Sequence, residues 1–77
     1  MLGQALVELG RFDEAIARLT AILQASPGLA YAYYWRGKAY SARQQTARMV
    51  DDLEAFLKLM PNAPEAAAVE RLLSALK

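Results

Sequence analysis

Tyr34-Trp35-Arg36-Gly37-Lys38-Ala39-Tyr40 places a glycine three residues before an aromatic within an aromatic-rich stretch, and 34 residues earlier Gly3 and Leu6 stand at the same two places. The register holds outward from there. Pro27 and Pro61, Ala15 and Met49, Leu19 and Leu53, and Ile22 and Phe56 are also 34 apart, and every pair is apolar. A period of this length marks a helical solenoid, in which each unit is a helix pair that cannot bury its own apolar face and must stack on a neighbour. Arrays of this kind present surfaces to partners, which favours a binding module over an enzyme.

Size and composition narrow the reading. With 77 residues, the chain is one small domain that buries only about 60% of its extended surface on folding. The chain holds about two and a half repeats, whereas roughly three are needed for the buried faces to cover one another. It is therefore expected either to belong to a longer solenoid or to pair with a copy of itself. No cysteine is present, so no disulfide supplements the small core. No histidine is present either, which argues against a transition-metal site or a His-based acid/base mechanism. The net charge of +1, without a basic run, gives no field for nucleic acid. Charges interrupt every apolar stretch well short of the eighteen or so residues a membrane span requires. Glu8 and Arg11 follow Met1 too soon for a signal peptide. A soluble chain is expected, its compartment open, with the cytoplasm favoured.

Punctuation divides the chain into helices. A short first helix over about 1–9 ends at Gly10, a residue suited to a left-handed turn. A second over about 13–25 carries Ala15, Leu19, Ile22 and Leu23 on one stripe, with Glu14 and Arg18 paired outside it. Ser26-Pro27-Gly28 stops it. A third over about 29–42 holds most of the aromatics on two faces: Tyr33, Gly37 and Tyr40 on one, and Tyr31, Tyr34, Lys38 and Ser41 on another, about 100° away. The fourth, about 47–60, is expected to start at Thr46 as N-cap, to turn Met49, Leu53, Phe56 and Met60 inward, and to pair Glu54 with Lys58. Asn62-Ala63-Pro64-Glu65 reads as a capping box for a fifth helix to about 76, with Val69, Leu72, Leu73 and Leu76 as its apolar stripe. That helix has no partner of its own and reads as the cap of the stack.

Leu2-Gly3, Leu6, Gly10, Phe12, Ala15, Leu19 and Pro27, then Tyr33, Gly37, Tyr40, Leu53, Phe56 and Pro61, together resemble the tetratricopeptide repeat family, in a variant common among bacterial members. The resemblance covers nearly the whole chain. It implies an all-α, right-handed helical solenoid with a C-terminal capping helix, divided into a truncated first repeat (1–29), a second repeat (30–63) and the cap (64–77). Three positions depart from the pattern. Met49 replaces a small residue at the helix crossing, Thr46 an aromatic, and Gln44 the turn glycine, so a looser turn at 43–46 and a wider crossing are expected.

The resemblance further implies that the first helix of each pair lines a concave groove holding a peptide or a partner protein. Carried over, the groove draws on Gln4 and Glu8 from the first repeat and on Tyr31, Tyr34, Trp35, Lys38 and Ser41 from the second. Aromatic residues dominate binding hot spots, yet the same side chains have a competing role as packing for the fifth helix or for a neighbouring repeat. Only Lys38 is suitably placed for the multi-residue grip on a terminal carboxylate that some family members use. Arg36 and Arg43 are expected to lay their stems along the apolar flank and hold their charges in water, with Asp51 or Asp52 nearby. Those two aspartates are neighbours in a helix and diverge by about 100°, so they do not converge on a metal or a substrate. No serine or threonine has an activating base in a suggestive arrangement, the dispersed glycines form no phosphate loop, and the methionines read as core filling. The expectation is a non-catalytic protein-interaction scaffold without cofactor or metal. Its alternatives are a structural or regulatory segment of a larger enzyme or secretion assembly, and a module that forms homo-oligomers through its N-terminal repeat edge.

Overall fold

The computed structural model describes residues 1–76; Lys77, the last residue of the expected 64–77 unit, lies outside the described residues. Among the described residues there are five helices and no strand: α1 (Leu2–Glu8), α2 (Phe12–Ala25), α3 (Ala30–Ala42), α4 (Thr46–Leu59) and α5 (Ala66–Ala75). They form an all-α helical repeat, with α3 packed chiefly on α4 and on α2, and with α5 resting on α4.

The period is written into the backbone as well as the side chains. In the first inter-helix turn the Gly10 amide donates to the Val7 carbonyl at 3.0 Å and the Arg11 amide to Leu6 at 2.8 Å. Thirty-four residues on, the Gln44 amide donates to Ser41 at 3.0 Å and the Gln45 amide to Tyr40 at 2.9 Å. The ends of α2 and α4 match in the same way, the Ser26 amide donating to Ile22 and the Met60 amide to Phe56, both at 2.8 Å.

The turn at 43–46 is therefore not looser than its counterpart, contrary to the sequence expectation. Gln44 adopts φ +60°, the left-handed conformation that Gly10 adopts at φ +79°. A side chain in that conformation costs about 1–2 kcal/mol, and the two hydrogen bonds hold it there. The N-cap also differs from expectation: Gln45 occupies that position, Thr46 is the first helical residue, and no side chain caps the helix. The period explains this, because Arg11 and Phe12 occupy the same two positions in the first repeat.

The anchors pack as their sizes dictate. Ala15, Leu19 and Phe56 are fully buried. A Cβ at Gly3 would overlap the Leu19 side chain, and one at Gly37 would lie 3.0 Å from Leu53 Cδ2, so both glycines permit close helix approach. Two apolar clusters result, one around Leu6, Ala15, Leu19 and Ala39 and one around Tyr40, Met49, Leu53, Phe56 and Val69; Ile16 and Tyr33 pack against both.

Arg36 corrects the sequence reading. Asp52 is nearby as expected, but the charge is engaged within the fold rather than left to solvent: Nε and Nη2 donate to the two Asp52 carboxylate oxygens at 2.8 and 2.7 Å, and Nη1 donates to Thr20 Oγ1 at 3.2 Å. The side chains are 18% and 6% exposed. The guanidinium lies 5.7 and 5.8 Å from the Tyr33 and Tyr40 ring centres. Held by two charge-assisted bonds to Asp52, its pKa is raised further above its ordinary value. One side chain of α3 thus ties α2 to α4.

Other expected charge pairs are rearranged. Glu14 pairs with Arg11 rather than Arg18, and Arg43 reaches Asp13 at 3.2 Å rather than the aspartates of α4. The Glu54–Lys58 pair does not form among the described residues.

Candidate functional site

The first helix of each pair carries the candidate residues, and α5 completes the set. The expected capping box does not form: α5 begins at Ala66, no side chain caps it, and the Ala66 amide donates to the Ala63 carbonyl at 3.0 Å. Glu65 instead accepts a hydrogen bond from the Tyr31 hydroxyl at 2.8 Å, tying α5 to α3. That bond to a carboxylate holds the Tyr31 pKa above its ordinary value, with burial adding to the shift.

Aromatic packing sets the remaining geometry. The Tyr31 and Tyr34 rings lie 5.4 and 5.1 Å from the centre of the buried Phe56 ring, and Tyr34 meets Trp35 edge-on at 5.2 Å. Trp35 also packs against the cluster of Leu6, Ala15 and Leu19, whereas Tyr31 and Tyr34 pack against that of Phe56. These three side chains are half-buried, and Lys38 and Ser41 are exposed beside them. Lys38 Nζ stands 5.5 Å above the Tyr34 ring, within cation–π range. Gln4 is half-buried and Glu8 exposed on α1.

Between α3 and α5 the surface opens into a cleft of about 100 Å³ lined by Tyr34, Lys38, Leu53, Ala68, Val69 and Leu72. Two of those residues were readable by adding the period: Ala68 and Leu72 stand 34 after Tyr34 and Lys38. By the same count Val7 and Ala42, neither among the sequence candidates, are the counterparts of Ser41 and Glu8. α5 occupies the place of a third first-helix. Its Ala66, Val69 and Leu73, at the positions of Ala32, Trp35 and Ala39, are buried, while Leu72 and Leu76, expected on the inward stripe, are 42% and 47% exposed. The positions of Gly37 and Tyr40 are taken by Arg71 and Ser74, both exposed.

Family models decide the assignment. One described as TPR repeat matches residues 3–43, more than half of the chain, and one described as Tetratricopeptide repeat matches residues 31–63. The chain belongs to the tetratricopeptide repeat family. No curated protein and no solved structure matches it. Repeats of this family generally mediate protein–protein interaction and are typically non-catalytic. Among the described residues no helix is long and apolar enough to cross a membrane.

Proposed function

We propose that this tetratricopeptide repeat chain is a protein-interaction scaffold that holds a peptide or a segment of a partner protein on the concave face formed by α1, α3 and α5, without performing chemistry. The observation that carries this reading is the α3–α5 cleft, where the half-buried Tyr34, the exposed Lys38 and the exposed Leu72 converge on one opening. Tyr34 and Lys38 are its central contacts, with Gln4, Glu8, Tyr31, Trp35 and Ser41 flanking them. Tyr31 and Trp35 serve the face mainly by packing, since each has partners within the fold. The division into repeats at 1–29 and 30–63, followed by the cap, belongs to the same reading. Replacing Tyr34 and Lys38 together by alanine tests it: partner capture by the immobilised chain should fall at least tenfold while helicity by circular dichroism is kept. Unchanged capture with intact helicity would refute it.

A second reading, self-association, is favoured by the N-terminal edge, where Met1, Leu2 and Leu9 are exposed, Leu9 at 71%. Sedimentation over a wide concentration range tests it: a dimer dissociated by Leu2→Ser with Leu9→Ser supports it, and a monomer throughout excludes it.

A further inference from the structure

Gln4, Lys38 and Leu72 occupy one position in three successive first-helices, so the face changes character step by step: amide, cation, aliphatic. Resting on the concave-face reading above, we propose that the α3–α5 cleft receives one aliphatic side chain of a partner segment whose adjacent residue bears a side-chain carboxylate, which pairs with Lys38. The partner is thus an acidic, leucine-type segment.

Three observations carry this inference. The cleft holds about 100 Å³ between Ala68, Val69 and Leu72, with Leu53 among its lining residues. That is smaller than the engineered apolar cavities of about 150 Å³ that take up benzene, a size suited to a single aliphatic group. The apolar surface continues along α5 through Leu72 and Leu76, both exposed. Lys38 lies on the rim and makes no ion pair among the described residues, while Glu65, the carboxylate just before α5, is engaged by Tyr31. A lone ammonium is a compact point charge that pairs with a single anionic group, such as one side-chain carboxylate. Because the cation occurs in only one of the three steps, it also fixes the register of the bound segment.

The test uses blocked peptides of one length, acetylated and amidated so that no terminal carboxylate is present, carrying Leu-Glu, Leu-Gln, Leu-Lys or Ser-Glu in an otherwise Ser/Gly sequence. Each is titrated to millimolar concentration into the labelled chain and followed by amide chemical shifts. The Leu-Glu peptide should move the amides of Tyr34, Lys38 and Leu72, and bind about three- to fivefold more tightly than Leu-Gln, with Leu-Lys and Ser-Glu weakest. In Lys38→Gln, an exposed substitution that leaves the core intact, the preference for Glu over Gln should vanish. Equal binding of Leu-Glu and Leu-Gln at those amides overturns the proposed carboxylate recognition and leaves the concave-face reading standing. No shift at Tyr34, Lys38 or Leu72 with any peptide overturns the cleft as a side-chain subsite. Shifts confined to residues outside α1, α3 and α5 overturn both readings.

Discussion

Removing Asp52 should be among the most damaging single changes to this fold. Its carboxylate accepts two charge-assisted bonds from Arg36 at 2.7 and 2.8 Å, with side chains 6% and 18% exposed. Truncating one partner of a buried pair typically costs about 3–5 kcal/mol, because the remaining charge is left without compensation. Here the lower end applies: Arg36 is only partly buried, at 18% exposure beside a shallow hollow that it lines with Tyr40, Arg48, Asp51 and Asp52, and Thr20 Oγ1 still accepts one bond. Asp52→Ala should therefore lose about 3 kcal/mol, lowering Tm by about 12–24 °C in a domain of this size. The assay is thermal and urea unfolding followed by circular dichroism at 222 nm, with Arg36→Met and the double variant completing a cycle. The double variant should be more stable than Asp52→Ala alone, since removing both charges relieves the uncompensated one. A loss below about 1 kcal/mol in Asp52→Ala would refute the reasoning, because that is the magnitude of an exposed, solvated pair.

Three further outcomes follow from the geometry. Gln44→Gly should stabilise the chain by about 1 kcal/mol by removing a side chain from a left-handed position; a loss of stability in urea unfolding would show that the turn is not strained. Gly3→Ala should cost about 1–3 kcal/mol through overpacking against Leu19, and more than Gly37→Ala, whose new Cβ would lie 3.0 Å from Leu53; the reverse order would contradict the tighter approach in the first pair. The raised pKa of Tyr31 belongs to its protonated, Glu65-bonded form. Its contribution is present below the ordinary tyrosine value of about 10 and is lost as pH rises through the higher folded value. Unfolding measured from pH 8 to 11 should accordingly show an alkaline loss of stability that is smaller in Tyr31→Phe; identical alkaline profiles would exclude the bond.

What the sequence disclosed was whatever recurs. The anchors at Gly3 and Gly37, Leu19 and Leu53, and Pro27 and Pro61 report sterics that repeat with the fold, so the helix order and the core of the two repeats followed from spacing and punctuation, whereas Leu72 and Leu76, which spacing placed inward, are exposed. The departures were misjudged because local residue preference was weighed against the period. Gln44 is a poor left-handed residue, yet the amide–carbonyl bonds of the turn impose φ +60° on it. Asn62 and Glu65 carry capping-box chemistry, but the phenol of Tyr31, 34 residues before Glu65, takes up that carboxylate. The Arg36–Asp52 pair was hidden because its partners stand on different helices and its first-repeat counterparts, Leu2 and Arg18, form no such pair. The Tyr34 face was legible from helical spacing, whereas its far wall on α5 required carrying the period one step beyond the second repeat.

The central claim is that Gln4, Lys38 and Leu72, one period apart, share a single interaction face. Placing a photo-crosslinking residue at each of the three in turn, and at the exposed Ala21 on α2 as control, tests it most directly. The three period-related positions should capture the same partner, identified by mass spectrometry, and Ala21 should not. Capture from Ala21 alone, or of unrelated proteins from the three positions, would contradict it.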